Sequence, residues 1–191
     1  MLRNTISRGS LAIGLAVLAA APAVAQEFKA RLNGFFEIGA INAETGAIFT
    51  AGIGRLTLDV DPNHQTASYT LTYSGLTTDI TQAHLHFGKV HVAGGIYAFL
   101  CTNLGNGPVG TPACPNSPSG NGTVSGVITA ASIRPVSTQN IAAGDFNALL
   151  AAVGSNTTYA NIHTVKFPAG EIRGQVQHSN DDEDEPRGRD R

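Results

Sequence analysis

"TASYTLTYSGL", residues 66–76, alternates apolar and hydroxylated side chains without a break. Ala67, Tyr69, Leu71 and Tyr73 occupy one set of positions, and Ser68, Thr70 and Thr72 the other. Successive side chains of a strand point to opposite faces, so a period of two predicts a strand with one apolar and one polar face. The segment before it repeats the pattern in Arg55-Leu56-Thr57-Leu58-Asp59-Val60, and the intervening "DPNHQ" supplies turn-forming residues. Working outward, further strands are predicted in "FKARLNGFFEI" (28–38), "GAIFTAGIGRLTLDV" (46–60), "ITQAHLHFG" (80–88), "GGIYAFLC" (94–101) and "GTVSGVITAASI" (122–133). A hairpin of "TTYANIHTVKF", a turn at "PAG" and "EIRGQVQ" closes the series. One stretch departs from period two. In "AGDFNALLAAVGSN", Phe146, Leu149, Leu150 and Val153 fall at helical spacing, with Asp145 as N-cap and Gly154 as stop. About eight short strands, glycine-rich connections and one short helix predict an all-β antiparallel sandwich or flattened barrel.

The first 25 residues read as a signal peptide. Arg3 and Arg8 precede the short apolar run "LAIGLAVLAAAPAV", and Ala23-Val24-Ala25 gives a small-x-small cleavage site before Gln26. The run is too short to span a bilayer, and no other long apolar segment follows. Residues 26–178 form one expected domain, and 179–191 an acidic tail in which Asp181 to Glu185 are five consecutive carboxylates. Removing Arg3 and Arg8 from a chain of net charge −2 leaves −4, most of it in that tail. The body holds 7 basic and 8 acidic side chains, without the basic patch that nucleic acid requires. Cys101 and Cys114 are the only cysteines, and behind an export signal they predict a disulfide in an oxidising compartment, periplasmic or extracellular. Closing that glycine-rich loop is worth about 3 kcal/mol on the chain-entropy view.

"AHLHFGKVHVAGG" (83–95) carries His84, His86 and His91. Residues two apart on a strand share a face about 6.6 Å apart. His84 and His86 therefore lie together, opposite Ala83, Leu85 and Phe87, and the apolar set must be the inward one. The closing hairpin divides in the same way. If "PAG" is a three-residue loop, Ile162 pairs with Val176 and His163 with Gln175. Tyr159, Asn161, His163, Glu171, Arg173 and Gln175 then gather on an outer polar face. Two imidazoles hold a transition metal poorly, but a third completes a copper or zinc set, and His163 supplies it if its strand neighbours the one carrying His84; His84, His86 and His163 are then candidate ligands, with Glu171 as ligand or orienting partner. Because only neutral imidazole ligates, such binding is expected to fade below about pH 6. The competing reading makes these residues sheet-stabilising polar groups. His64 falls in a turn and His178 beside the tail. No Gly-x-Ser-x-Gly elbow, phosphate-binding glycine loop, His-Glu-x-x-His or dinucleotide fingerprint occurs, and Glu37, Asp145 and Glu171 form no recognisable acid pair. The chain carries no catalytic signature.

"ARLNGFFE", "AHLHFG", "FLC…CP", "GTVSGVITAASI" and above all "YANIHTVKFPAGEIRGQV" resemble the CHRD domain, the module repeated in chordin and found singly in many exported bacterial proteins. The likeness covers about residues 28–177. It implies an immunoglobulin-like fold distantly similar to copper–zinc superoxide dismutases, which also place His-x-His on the outside of a sandwich. It also implies a non-catalytic binding module for a protein or cell-surface ligand. Growth-factor binding, as in chordin, does not carry over to a single copy lacking cysteine-rich modules. Dismutation would need a fourth copper ligand and a bridging histidine, and neither is assignable from this sequence.

Overall fold

The computed structural model describes residues 24–38 and 46–179; the signal-peptide reading, apart from its last two residues, and the acidic tail, apart from Ser179, lie outside them. The strands are β1 (Gln26–Asn33), β2 (Ile53–Asp61), β3 (Thr66–Ser74), β4 (Ile80–Phe87), β5 (Gly95–Thr102), β6 (Gly122–Thr129), β7 (Thr158–Thr164), β8 (Ile172–Gln175) and β9 (Gln177–His178). They form one antiparallel sheet in the order β5-β4-β7-β8-β1-β2-β3-β6, with β9 added against β1. The sheet curls until its ends nearly meet. The Tyr69 hydroxyl on β3 donates to the Leu100 carbonyl on β5, and the Arg134 N–H just after β6 donates to the Tyr97 carbonyl. The architecture is therefore a nearly closed barrel rather than two separate sheets.

The alternation of "TASYTLTYS" is realised residue for residue. Ala67, Tyr69, Leu71 and Tyr73 are buried, and Ser68, Thr70 and Thr72 are exposed. The same inner face carries Phe28, Leu32, Leu56, Leu58, Leu85 and Ile162, all in one core. The helix α1 (Phe146–Gly154) plugs that core with Phe146, Leu149 and Val153, and the Asp145 carboxylate caps it by accepting from Ala148 N–H at 3.0 Å. Burying these side chains supplies the main driving force for folding.

Two expected strands are shorter than read. β1 ends at Asn33, whose side chain accepts from Phe35 N–H at 2.9 Å and turns Gly34–Phe36 into a single 3-10 turn. β2 begins only at Ile53. The closing hairpin also differs in register. Ile162 pairs with Ile172 and Tyr159 with Gln175, four positions from the expected alignment, because "PAG" sits inside a longer loop. A shift of four conserves parity, so Tyr159, Asn161, Arg173 and Gln175 stay on one face, whereas Glu171 lies before β8 and does not follow them. Cys101 and Cys114 are joined, with Cα atoms 5.0 Å apart. The described residues contain no helix long and apolar enough to cross a membrane.

Candidate metal centre

On the face of the sheet opposite the core, β4, β7 and β8 lie side by side. Their register sets His84 next to Asn161 and Asn161 next to Arg173; one step along, His86 lies next to Tyr159 and Tyr159 next to Gln175. His163 follows Asn161 by two positions on β7. The geometry brings His84, His86 and His163 together, with one ring nitrogen from each within 4.8 Å of the others. His84 Nδ1 lies 3.2 Å from His163 Nε2. Two bulges in the β4–β5 pairing, between Ala83 and His84 and between Leu85 and His86, bracket the first of these rings. Such bulges re-aim side chains locally. Here they turn Phe99 to the histidine face, edge-on to His84 at 4.4 Å, while Ala98 and Leu100 stay in the core.

The expected outward exposure is corrected. His84 is fully buried, and His86 and His163 are 7 % exposed. The polar residues of this face are largely withdrawn from water, with Gln175 half-buried, and they bind the loops that cover it. Arg173 Nη2 donates to the Lys89 and Val92 carbonyls at 3.0 Å each, and Gln175 Nε2 donates to the Gly88 carbonyl at 3.0 Å and that of Asn156 at 2.8 Å. Gly94 N–H donates to the Tyr159 hydroxyl at 3.2 Å, and its carbonyl accepts from His86 Nδ1 at 2.9 Å. Gly94 can come this close only without a side chain, since a Cβ there would meet the Phe87 carbonyl oxygen at 1.8 Å. The sequence marks the spot only as the glycine pair after His91, a residue that itself lies exposed in the covering loop.

Two carbonyl contacts fix the tautomers of His86 and His163. A carbonyl only accepts, so Nδ1 of His86 carries the proton facing Gly94, and Nδ1 of His163 carries the one facing the Pro168 carbonyl at 2.9 Å. Nε2 of each is left with a lone pair; that of His86 has no partner, while that of His163 lies 3.2 Å from His84 Nδ1 and 3.1 Å from the Asn161 side-chain amide. His84 Nε2 has no partner either. Among the described residues, four buried side-chain atoms lack a hydrogen-bond partner: His84 Nε2, His86 Nε2, Glu37 Oε1 and Arg173 Nη1. All four belong to this one region, where buried polar groups are ordinarily satisfied. Imidazoles held through one nitrogen to a backbone carbonyl, with the other nitrogen free, are oriented as metal ligands are.

Burial sets the charge state. It holds His84 down at about 2 and His86 at about 4, and it lowers His163 too. All three rings are neutral and competent to ligate at neutral pH. This bears on the expected fading of binding below about pH 6: burial keeps His84 and His86 neutral well below that value and lowers His163 in the same direction. Glu37, just beyond the first 3-10 turn, is buried and pushed up to about 7 by desolvation, against the pull of Arg173 and a hydrogen bond from Asn161. Gly170 makes room for it, since a Cβ there would lie 2.6 Å from Glu37 Oε1.

Glu171 is not brought into the cluster. Its carboxylate accepts from Thr50 Oγ1 at 2.6 Å, Thr77 N–H and Oγ1 at 3.0 Å each, and Thr164 Oγ1 at 2.8 Å. Those four donors use its oxygens, and none belongs to a histidine. Tyr159 does contact a candidate ligand: its ring stacks on His86 at 4.6 Å, and the Arg173 guanidinium lies 3.4 Å from the centre of the same ring. His64 is exposed and bonded to Asp61 at 2.6 Å, and His178 packs edge-on against Phe28. Phe99, Gly94 and Pro168 are the site residues that sequence reasoning missed; two act through backbone carbonyls, which leave no signal in the residue type.

The chain matches the CHRD domain over residues 28–176. It belongs to the CHRD family. Neither a curated protein nor a solved structure matches it. The matched span includes every strand from β2 to β8 and all three histidines of the cluster, so the site is built within the CHRD domain itself.

Proposed function

We propose that this CHRD domain is an exported binding module whose ligand is a transition-metal ion, copper or zinc, held by Nε2 of His86 and His163 and one ring nitrogen of His84. The observation that carries this reading is the pair of Nδ1–carbonyl anchors on His86 and His163 at 2.9 Å, combined with the bare, buried Nε2 atoms of His84 and His86. Two nitrogens bonded to one ion at 2.0–2.1 Å lie roughly 3.3–3.5 Å apart. His84 Nδ1 and His163 Nε2 lie close to that separation at 3.2 Å, with ligation through Nδ1 placing the His84 proton on Nε2, and one nitrogen of each of the three rings lies within 4.8 Å of the others. Bound metal would supply the partner that the free nitrogens lack. The export reading is supported by the leader-like first 25 residues and by the disulfide, a bond favoured in oxidising compartments.

Purified full-length protein equilibrated with Zn(II) or copper and then desalted is expected to retain one ion per chain. His84→Gln combined with His86→Gln is expected to abolish that retention while circular dichroism still shows a folded β protein. Equal retention by the folded double variant, or none by the wild type, contradicts the proposal and leaves the histidines as sheet-stabilising groups.

A further inference from the structure

Two cations approach the ligands, each through one aromatic ring. Arg173 lies 3.4 Å over Tyr159, a ring that also stacks on His86 at 4.6 Å. Arg134 lies 5.4 Å from the Phe99 ring centre, and Phe99 meets His84 edge-on at 4.4 Å. The cluster itself holds no carboxylate; its ligands are three neutral imidazoles. Glu37 is the buried acid nearby, and it faces Arg173. A metal entering here keeps its whole charge, in a buried setting and beside two guanidinium groups.

That arrangement discriminates by charge. The repulsion from each arginine doubles between a monovalent and a divalent ion. Coordination number works in the same direction. Zn(II) on three protein nitrogens keeps a fourth position, usually for water. The free nitrogens here are sealed under the 88–94 loop and Phe99, with no carboxylate in the cluster to fill that position. A closed-shell monovalent ion is satisfied by three neutral nitrogens in a plane. Resting on the metal reading above, we infer that the site selects Cu(I) over Zn(II).

Affinities are measured on the full chain by competition, with Cu(I) kept reduced by ascorbate under argon, Ag(I) as an air-stable monovalent probe, and Zn(II). Cu(I) and Ag(I) are expected to bind at least 100-fold more tightly than Zn(II). Arg134 is exposed at the far end of its column and outside the ligand set, so Arg134→Gln leaves the fold in place. At low ionic strength it is expected to tighten all three ions, with a gain for Zn(II) of about the square of that for Ag(I), for instance roughly tenfold against threefold. Zn(II) binding as tightly as Cu(I), abolished in His84→Gln with His86→Gln, overturns the selectivity while leaving the metal site intact. Equal gains for Zn(II) and Ag(I) in Arg134→Gln overturn the electrostatic basis. If no ion binds, both this inference and the metal reading fall.

Discussion

A buried carboxylate needs donors, and Glu171 has four of them from three threonines. Glu171→Ala strands those donors in a dry pocket and is expected to cost roughly 3 kcal/mol. Urea denaturation followed by metal analysis checks this: stability falls, while the ion retained per chain stays that of the wild type. Loss of the ion without loss of stability would return Glu171 to the ligand set. The contrast between Glu171 and His163 shows which residues were legible. Parity along a strand is a property of sequence spacing alone, so it put His84 and His86 on one face and His163 on the outer face of its own strand; that β4 and β7 are neighbours was not legible. Glu171 precedes the first residue of β8, where parity no longer governs, and its partners Thr50 and Thr77 come from segments far away in the chain.

Elements were legible to the extent that alternation was unbroken. β3 and β4 match the reading closely, and α1 starts at the expected Asp145 cap. The register of β7 on β8 was not, because it depends on how Val165 to Gly170 fold, and turn residues such as "PAG" are compatible with more than one loop length. The β5 bulges were equally silent; they depend on fitting Tyr97, Phe99 and Leu100 to both faces at once. One pairing makes an element-scale expectation. Arg31 on β1 lies directly opposite Arg55 on β2, and like charges in that position oppose each other. Arg31→Glu turns repulsion into attraction across the ladder and is expected to raise stability by a few tenths to about 1 kcal/mol, seen as a higher melting temperature that shrinks in high salt. An unchanged or lower melting temperature at low salt would contradict it.

The whole molecule resolves a conflict that the sequence leaves open. A half-polar sheet face was expected to meet water, yet here the barrel uses it to hold loops, and the polar side chains become buried anchors. That coverage has a global signature. In the metal-free protein the three histidines titrate below their ordinary 6.5, near about 2 for His84 and about 4 for His86. The unfolded chain takes up protons that the folded chain refuses, so their contribution is complete above about pH 6.5 and is lost as pH falls. Glu37, raised from 4.5 to about 7, acts oppositely; its contribution is complete below about 4.5 and is lost as pH rises through 7. Three imidazoles outweigh one carboxylate. Urea midpoints are expected to climb from pH 4.5 to 6.5 and then level or dip slightly, and His84→Gln flattens the climb; a midpoint that rises on acidification contradicts the burial of these rings. The central claim is that strand parity and two backbone anchors aim three imidazoles at one ion. X-ray absorption at the metal edge of the loaded, desalted protein tests it most directly. The expected spectrum shows about three nitrogen scatterers near 2.0 Å with the multiple-scattering pattern of imidazole. A shell of oxygen scatterers without imidazole would place the metal on carboxylates and contradict the account.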